Sequence, residues 1–120
     1  MIVIDRTCAD PWYRRSVRVS MGAVFDVPIV RPDSLPEAIG RFSSWGFRAV
    51  AMALDADAIP LIDIQPGAPT VVAVGAEGPG LSAATLAVAH TVATIPMRRD
   101  LDSINVGHAA AIALHHFGAG

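Results

Sequence analysis

Thr70-Val71-Val72-Ala73-Val74-Gly75-Ala76-Glu77-Gly78-Pro79-Gly80-Leu81-Ser82 is the stretch that decides how this chain is read. Residues 70–74 form a continuous, largely β-branched run, the composition of a parallel strand buried on both faces. Glycines at 75, 78 and 80 interrupt it, and Ser82 then opens a short helix to about residue 89. Strand, glycine loop and helix in this order bring backbone amides and carbonyls against a ligand at the carboxyl edge of a parallel sheet. The glycines do not follow G-x-G-x-x-G, and no Gly-Lys-Ser/Thr closes the loop, so it is neither a dinucleotide fingerprint nor a phosphate loop. An ordinary tight turn is the plain alternative. Glu77 weighs against it, because a carboxylate between glycines at a sheet edge has little packing role and suits holding a hydroxyl or an amide. A solvated loop position is the competing explanation for Glu77.

Outward from this stretch, apolar strand-like runs alternate with helical segments. Toward the N-terminus the pattern gives strands at 2–4, 27–30 and 48–54. Asp10-Pro11 reads as an N-cap followed by proline at the first helical position, opening a helix to about residue 23. Asp33 or Ser34 caps a second helix that stops at Gly46, and the acidic residues 55–63 read as a loop. Toward the C-terminus a last strand covers 91–95. A helix over 103–117 follows, with Val106, Ala109, Ala110, Ala113 and Phe117 as its apolar stripe. Its small side chains fit either a core helix or a dimer face. The alternation predicts an α/β fold, a parallel sheet covered by helices on both faces, in a single domain over 1–120.

Composition narrows the classes. At 120 residues and 52% hydrophobic, these residues support one core, which argues against most multi-domain enzymes. A net charge of −2 with a mean hydropathy of +0.47 suggests surface buried against a partner. No apolar run approaches the roughly 20 residues of a membrane span and the N-terminus lacks signal-peptide order, so a cytoplasmic protein with no membrane partner is expected. All nine basic residues are arginine, seven of them within 1–48 and none within 49–97, an asymmetry that places Arg14 and Arg18 four residues apart on one helix. Cys8 is the lone cysteine and reads as a small apolar side chain. His108, His115 and His116 lack cysteine and carboxylate partners, so no metal is expected.

A second loop and helix start, Ile95-Pro96-Met97-Arg98-Arg99-Asp100-Leu101-Asp102-Ser103-Ile104-Asn105-Val106-Gly107, carries further information. Ser103 and Asn105 stand where helix caps belong, and capping alone accounts for them as readily as a site does. Taken together, the strand-GxEGxGLS, IPM and DS-hydrophobic-NV segments resemble the SpoU/TrmH branch of the SPOUT superfamily, RNA 2′-O-ribose methyltransferases. Cys8-Ala9-Asp10-Pro11 and Arg18-Val19-Ser20-Met21-Gly22-Ala23 are similar to an upstream segment of the same family, so the resemblance covers nearly the whole chain.

The resemblance implies a parallel-sheet α/β knot, a deep C-terminal trefoil knot threaded by roughly residues 75–120, an exception to the rule against threading. It implies S-adenosylmethionine as cofactor, surrounded by Leu54, Gly75, Gly80, Ile95, Met97 and Ile104. It implies Asn105, Ser103 and Glu77 as catalytic-site residues, and a homodimer acting on rRNA or tRNA. Arg14, Arg18, Arg98 and Arg99, with Arg15, are candidates for the RNA backbone, against solvated arginines as the alternative. The family's N-x-G-x-x-x-R motif, on a strand and helix that precede the matched region, is absent from these 120 residues. On that reading the fold is truncated at its N-terminal strand and helix, and the chain binds cofactor better than it catalyses. Ala76, Ile104 and Gly107 also depart from the family's usual residues. Two other readings stay open: a catalytically silent cofactor-binding or dimerisation module, and a flavodoxin-like ligand-binding domain whose loops match by chance.

Overall fold

The runs at 48–54, 70–74 and 91–95 do supply three adjacent strands of one parallel sheet in the computed structural model, which describes residues 1–98 and 103–118. The chain divides into two compact units, Met1–Ala38 and Ile39–Gly120, taken separately below.

In the first unit, β1 (Ile2–Val3) pairs in parallel with β2 (Ile29–Val30). Between them lie helix α1 (Arg14–Val19) and a 3-10 turn, Ala23–Phe25. The helix starts later than Asp10-Pro11 predicts. Asp10 spends its caps on the turn before it: its Oδ1 accepts from the Trp12 amide at 2.9 Å, and its carbonyl accepts from the Tyr13 amide at 3.1 Å. The helix also ends earlier, since Met21 (φ 52°) and Gly22 (φ 82°) turn left-handed in succession.

The loop after β1 is tied down by Arg31, whose Nη1 donates to the carbonyls of Asp5, Arg6 and Cys8 at 2.9–3.1 Å. Arg6 pairs with Asp33. The Thr7 hydroxyl and amide both donate to Asp5, and with Arg31 and Arg6 nearby they hold its carboxyl below the usual aspartate range. Cys8 is exposed in this loop rather than packed as a small apolar side chain.

Helix α2 (Leu35–Ser44) spans the boundary between the units, and the Ser34 hydroxyl accepts from the Glu37 amide at its start. The second unit carries a four-stranded parallel sheet in the order β4-β6-β3-β5, from β3 (Arg48–Met52), β4 (Ile59–Pro60), β5 (Thr70–Val74) and β6 (Thr91–Thr94). The sequence reading missed β4: two residues and a proline leave no periodicity to detect, and the pairing Ile59↔Ala93 is non-local. Residues 55–63 are therefore not only a loop, since they also carry the buried Leu61 in a 3-10 turn, Leu61–Asp63.

The strand buried on both faces is β3, with Ala49, Val50 and Ala51 all nearly inaccessible, whereas β5 lies at the end of the sheet order and is half-buried. Helix α3 (Ala83–Val88) packs against β3, and α4 (Val106–Gly118) packs against β5. The core joins Val50, Leu61, Ile64, Ala93 and Ala113, with Phe117 and Ile95 packed beside them. Ala113 and Phe117 belong to the stripe expected on the last helix. That helix begins at Val106 rather than residue 103.

Candidate functional site

Leu54, Gly75, Ile95 and Ile104 lie far apart in sequence, yet all border one pocket of about 600 Å³ at the carboxyl ends of β3, β5 and β6. Residues 52–54 supply one wall, the glycine loop a second, Thr94, Ile95 and Met97 a third, and residues 103–106 the last. Every predicted cofactor-binding residue (Leu54, Gly75, Gly80, Ile95, Met97, Ile104) lines it, as do Glu77, Ser103 and Asn105.

The glycines shape the loop for specific reasons. Gly80 donates its amide to the Ala76 carbonyl at 3.0 Å, closing a narrow antiparallel bridge with Glu77, Gly78 and Pro79 at its tip. The return path presses on Gly75: a Cβ there would sit 2.2 Å from the Gly80 carbonyl carbon and 2.4 Å from the Leu81 nitrogen. Only glycine tolerates that approach. Gly78 and Gly80 hold φ of 89° and 70°, the left-handed region that makes the turn. The loop hands over to α3 through Ser82, whose hydroxyl accepts from the Thr85 amide at 3.2 Å.

Asn105 links the two loops. Its Oδ1 accepts from the Gly107 amide at 2.8 Å and so caps α4, while its Nδ2 donates to Glu77 Oε1 at 3.1 Å. Capping and site membership, alternatives in the sequence, are here two ends of one amide. The bond to Asn105 orients the Glu77 carboxylate, and Ser103 borders the pocket from an exposed position. Sequence reasoning did not assign to the site Leu86 or Ala109, the latter read only as part of the helix's apolar stripe, and both also line the pocket. They stand four residues beyond the caps Ser82 and Asn105, so helical periodicity was the signal that would have found them.

Chemically the described lining makes an apolar cleft with backbone groups and one carboxylate. Glu77 is the one ionisable side chain among its described lining residues. Without a lysine or arginine in that lining, it suits a neutral or cationic ligand with an apolar ring better than a phosphorylated nucleotide. Among the described residues no three of His, Cys, Asp and Glu converge on a metal position, and His108 and His115 are exposed on α4.

Of the candidate RNA-contacting arginines, Arg14 and Arg18 are exposed on α1 and border a separate cleft in the first unit. Arg98 is exposed next to the pocket-lining Met97, and Arg99 lies outside the described residues. No helix among the described residues is long and apolar enough to cross a membrane.

Residues 1–115 match the SpoU rRNA Methylase family. The chain belongs to that family. An uncharacterized tRNA/rRNA methyltransferase of Mycobacterium tuberculosis is 41% identical over 129 residues, covering 99% of this chain and 45% of the relative. One from Synechocystis is 32% identical over 115 residues, covering 95% of this chain and 41% of the relative. The chain thus spans less than half the length of these relatives.

Solved structures align over almost all of it. An AdoMet-bound rRNA methyltransferase from Sinorhizobium meliloti matches with a TM-score of 0.88 at 29% identity, over 98% of this chain and 45% of that one. The SpoU methyltransferase AviRb from Streptomyces viridochromogenes, in complex with AdoMet, matches with a TM-score of 0.84 at 27% identity, over 95% of this chain and 47% of that one. The mixed α/β architecture with parallel strands is therefore that of SpoU methyltransferases.

Proposed function

We propose that this chain carries the S-adenosylmethionine site of an RNA 2′-O-ribose methyltransferase that acts on rRNA or tRNA as a homodimer, with its C-terminal part knotted. The observation that carries the reading is the pocket at the carboxyl ends of β3, β5 and β6, in a SpoU chain whose solved relatives from S. meliloti and S. viridochromogenes hold AdoMet.

The residues present fit that group. Leu54, Ile95 and Ile104 offer apolar walls for an adenine, and the glycine loop offers backbone groups to its polar edges. Glu77 offers the negative charge that a sulfonium or an ammonium favours, and the described lining holds no cation to oppose it. When bound, S-adenosylmethionine supplies an electrophilic methyl group.

The chain's own residues position the nucleophile. Glu77, fixed by Asn105, accepts a hydrogen bond from the ribose hydroxyl, and Ser103 adds a second polar contact at the exposed rim. Arg14, Arg18, Arg98 and Arg99 contribute phosphate contacts that position the RNA.

A second reading, cofactor binding without turnover, is favoured by one feature: no arginine is among the described lining residues to activate the hydroxyl. Thermal unfolding with S-adenosylhomocysteine, with ATP and NAD as controls, tests the site. Stabilisation of about 2.7 kcal/mol is expected at a hundredfold excess over Kd with the first ligand alone. No shift at millimolar concentration would overturn the site. Transfer of labelled methyl to RNA, recovered in alkali-resistant dinucleotides, separates the two readings, because a methylated 2′-oxygen no longer supports alkaline cleavage.

A further inference from the structure

The first unit presents aromatic rings that no internal packing explains. Trp12 and Tyr13 are adjacent in sequence and 53% and 62% exposed. Neither takes part in a ring–ring or cation–π contact among the described residues. Their backbone is nevertheless fixed: Asp10 holds both amides, and the Tyr13 carbonyl accepts from the Val17 amide at 3.0 Å. Rings of this size, held out on a hydrogen-bonded turn, present their faces with only their own few side-chain torsions left to order on binding.

Arg14, Arg15 and Arg18 follow directly, all exposed, and with Tyr13 and Val19 they line a shallow cleft of about 410 Å³. Among the described residues none of the three arginines is ion-paired.

We infer that Trp12 and Tyr13 form a stacking platform for unpaired RNA bases, with Arg14, Arg15 and Arg18 holding the adjoining phosphates. The inference rests on the RNA reading above and narrows it to a single-stranded or looped-out segment. Base–aromatic stacking needs an exposed π-face, and a duplex hides those faces. An A-form helix would engage the arginines but leave the two rings unused. Closing a protein surface over the same patch would bury three guanidinium groups that form no ion pair among the described residues, which is costly unless the partner supplies a carboxylate for each. Charge and ring chemistry together therefore select a flexible, unpaired polyanion with aromatic faces.

Trp12 itself reports on the test. In a Trp45→Phe background, titration with a twelve-nucleotide oligouridylate is expected to quench its emission, and a duplex RNA of the same length to leave it nearly unchanged. Trp12→Ala and Tyr13→Ala should each weaken single-strand binding about 5- to 150-fold with duplex binding unaltered, while Trp12→Phe retains most of the affinity. Arg14→Gln and Arg18→Gln should instead weaken both RNAs alike, each lowering the salt slope by about one.

Equal effects of Trp12→Ala on both RNAs, or none on either, would overturn the platform while leaving RNA binding intact. Loss of self-association in Trp12→Ala with unchanged RNA affinity would overturn it in favour of a protein contact. Failure of every RNA to bind would overturn the RNA reading beneath it. The response of Trp12→Ala to S-adenosylhomocysteine, expected to equal that of the parent chain, shows that the variant is folded.

Discussion

Asn105 is asked to do two things with one amide, and the two can be separated by substitution. Its oxygen caps α4 through the Gly107 amide and its nitrogen orients Glu77. Asn105→Asp keeps the capping oxygen, and its charge at a helix N-terminus is favourable, but it removes the donor and sets two carboxylates side by side. Asn105→Ala loses both functions. Urea unfolding is expected to show a loss of about 0.5–2 kcal/mol for the alanine variant and a smaller change for the aspartate variant. Affinity for S-adenosylhomocysteine should fall in both. Unchanged affinity in Asn105→Asp would mean that the Glu77 contact plays no part in the pocket. Gly75 was legible at this scale only as a glycine at a strand end. That it must be glycine follows from the return path of residues 80–81, which no local pattern records.

Among the elements, β5 and β6 were readable to within a residue because each is a short β-branched run bounded by turn-formers, and α3 because Ser82 is its cap. Order within the sheet was not readable. The run at 70–74 reads as a strand buried on both faces because it is continuously apolar and β-branched, yet it ends the sheet order, and the strand buried on both faces is β3, whose alanines at 49 and 51 are the signal of close packing. The start of β3 and the start of β6 are joined by a contact that no strand pattern contains: the Ala49 amide donates to His90 Nδ1 at 3.0 Å, and the His90 amide donates to the Ala49 carbonyl at 2.9 Å. The imidazole thereby completes the sheet's hydrogen bonding at a buried residue. His90→Phe keeps a ring but leaves the Ala49 amide without its acceptor, and should destabilise the chain by about 1–3 kcal/mol. His90→Asn, which restores an oxygen acceptor, should recover part of this. An unfolding midpoint unmoved by His90→Phe would show that water replaces the bond without cost.

For the whole molecule, the pocket was foreseen because a parallel sheet collects its loops at one edge, so motifs separated by tens of residues had one place to meet. Whether the last helix serves as a core helix or a dimer face was left open by the sequence, and α4 poses that question most directly. Its inner stripe is used in the core through Ala113 and Phe117, yet the apolar side chains that flank this stripe on either side stay open: Ile112 is 44% exposed and Leu114 63%, with the exposed His108 and His115 between them on the outer side. Large apolar side chains left open beside a buried stripe suit a further cover, and the homodimer proposed above supplies one. Leu114→Glu and Ile112→Glu should then convert a sedimenting dimer to a monomer, because a carboxylate in the centre of an apolar interface is left unpaired. The same changes at a merely solvated position would alter stability by no more than about 0.5 kcal/mol. The comparison of sedimentation with unfolding is therefore decisive. A parent chain that sediments as a monomer at tens of micromolar, or variants that remain dimeric, would remove α4 from the interface and require another partner for Ile112 and Leu114.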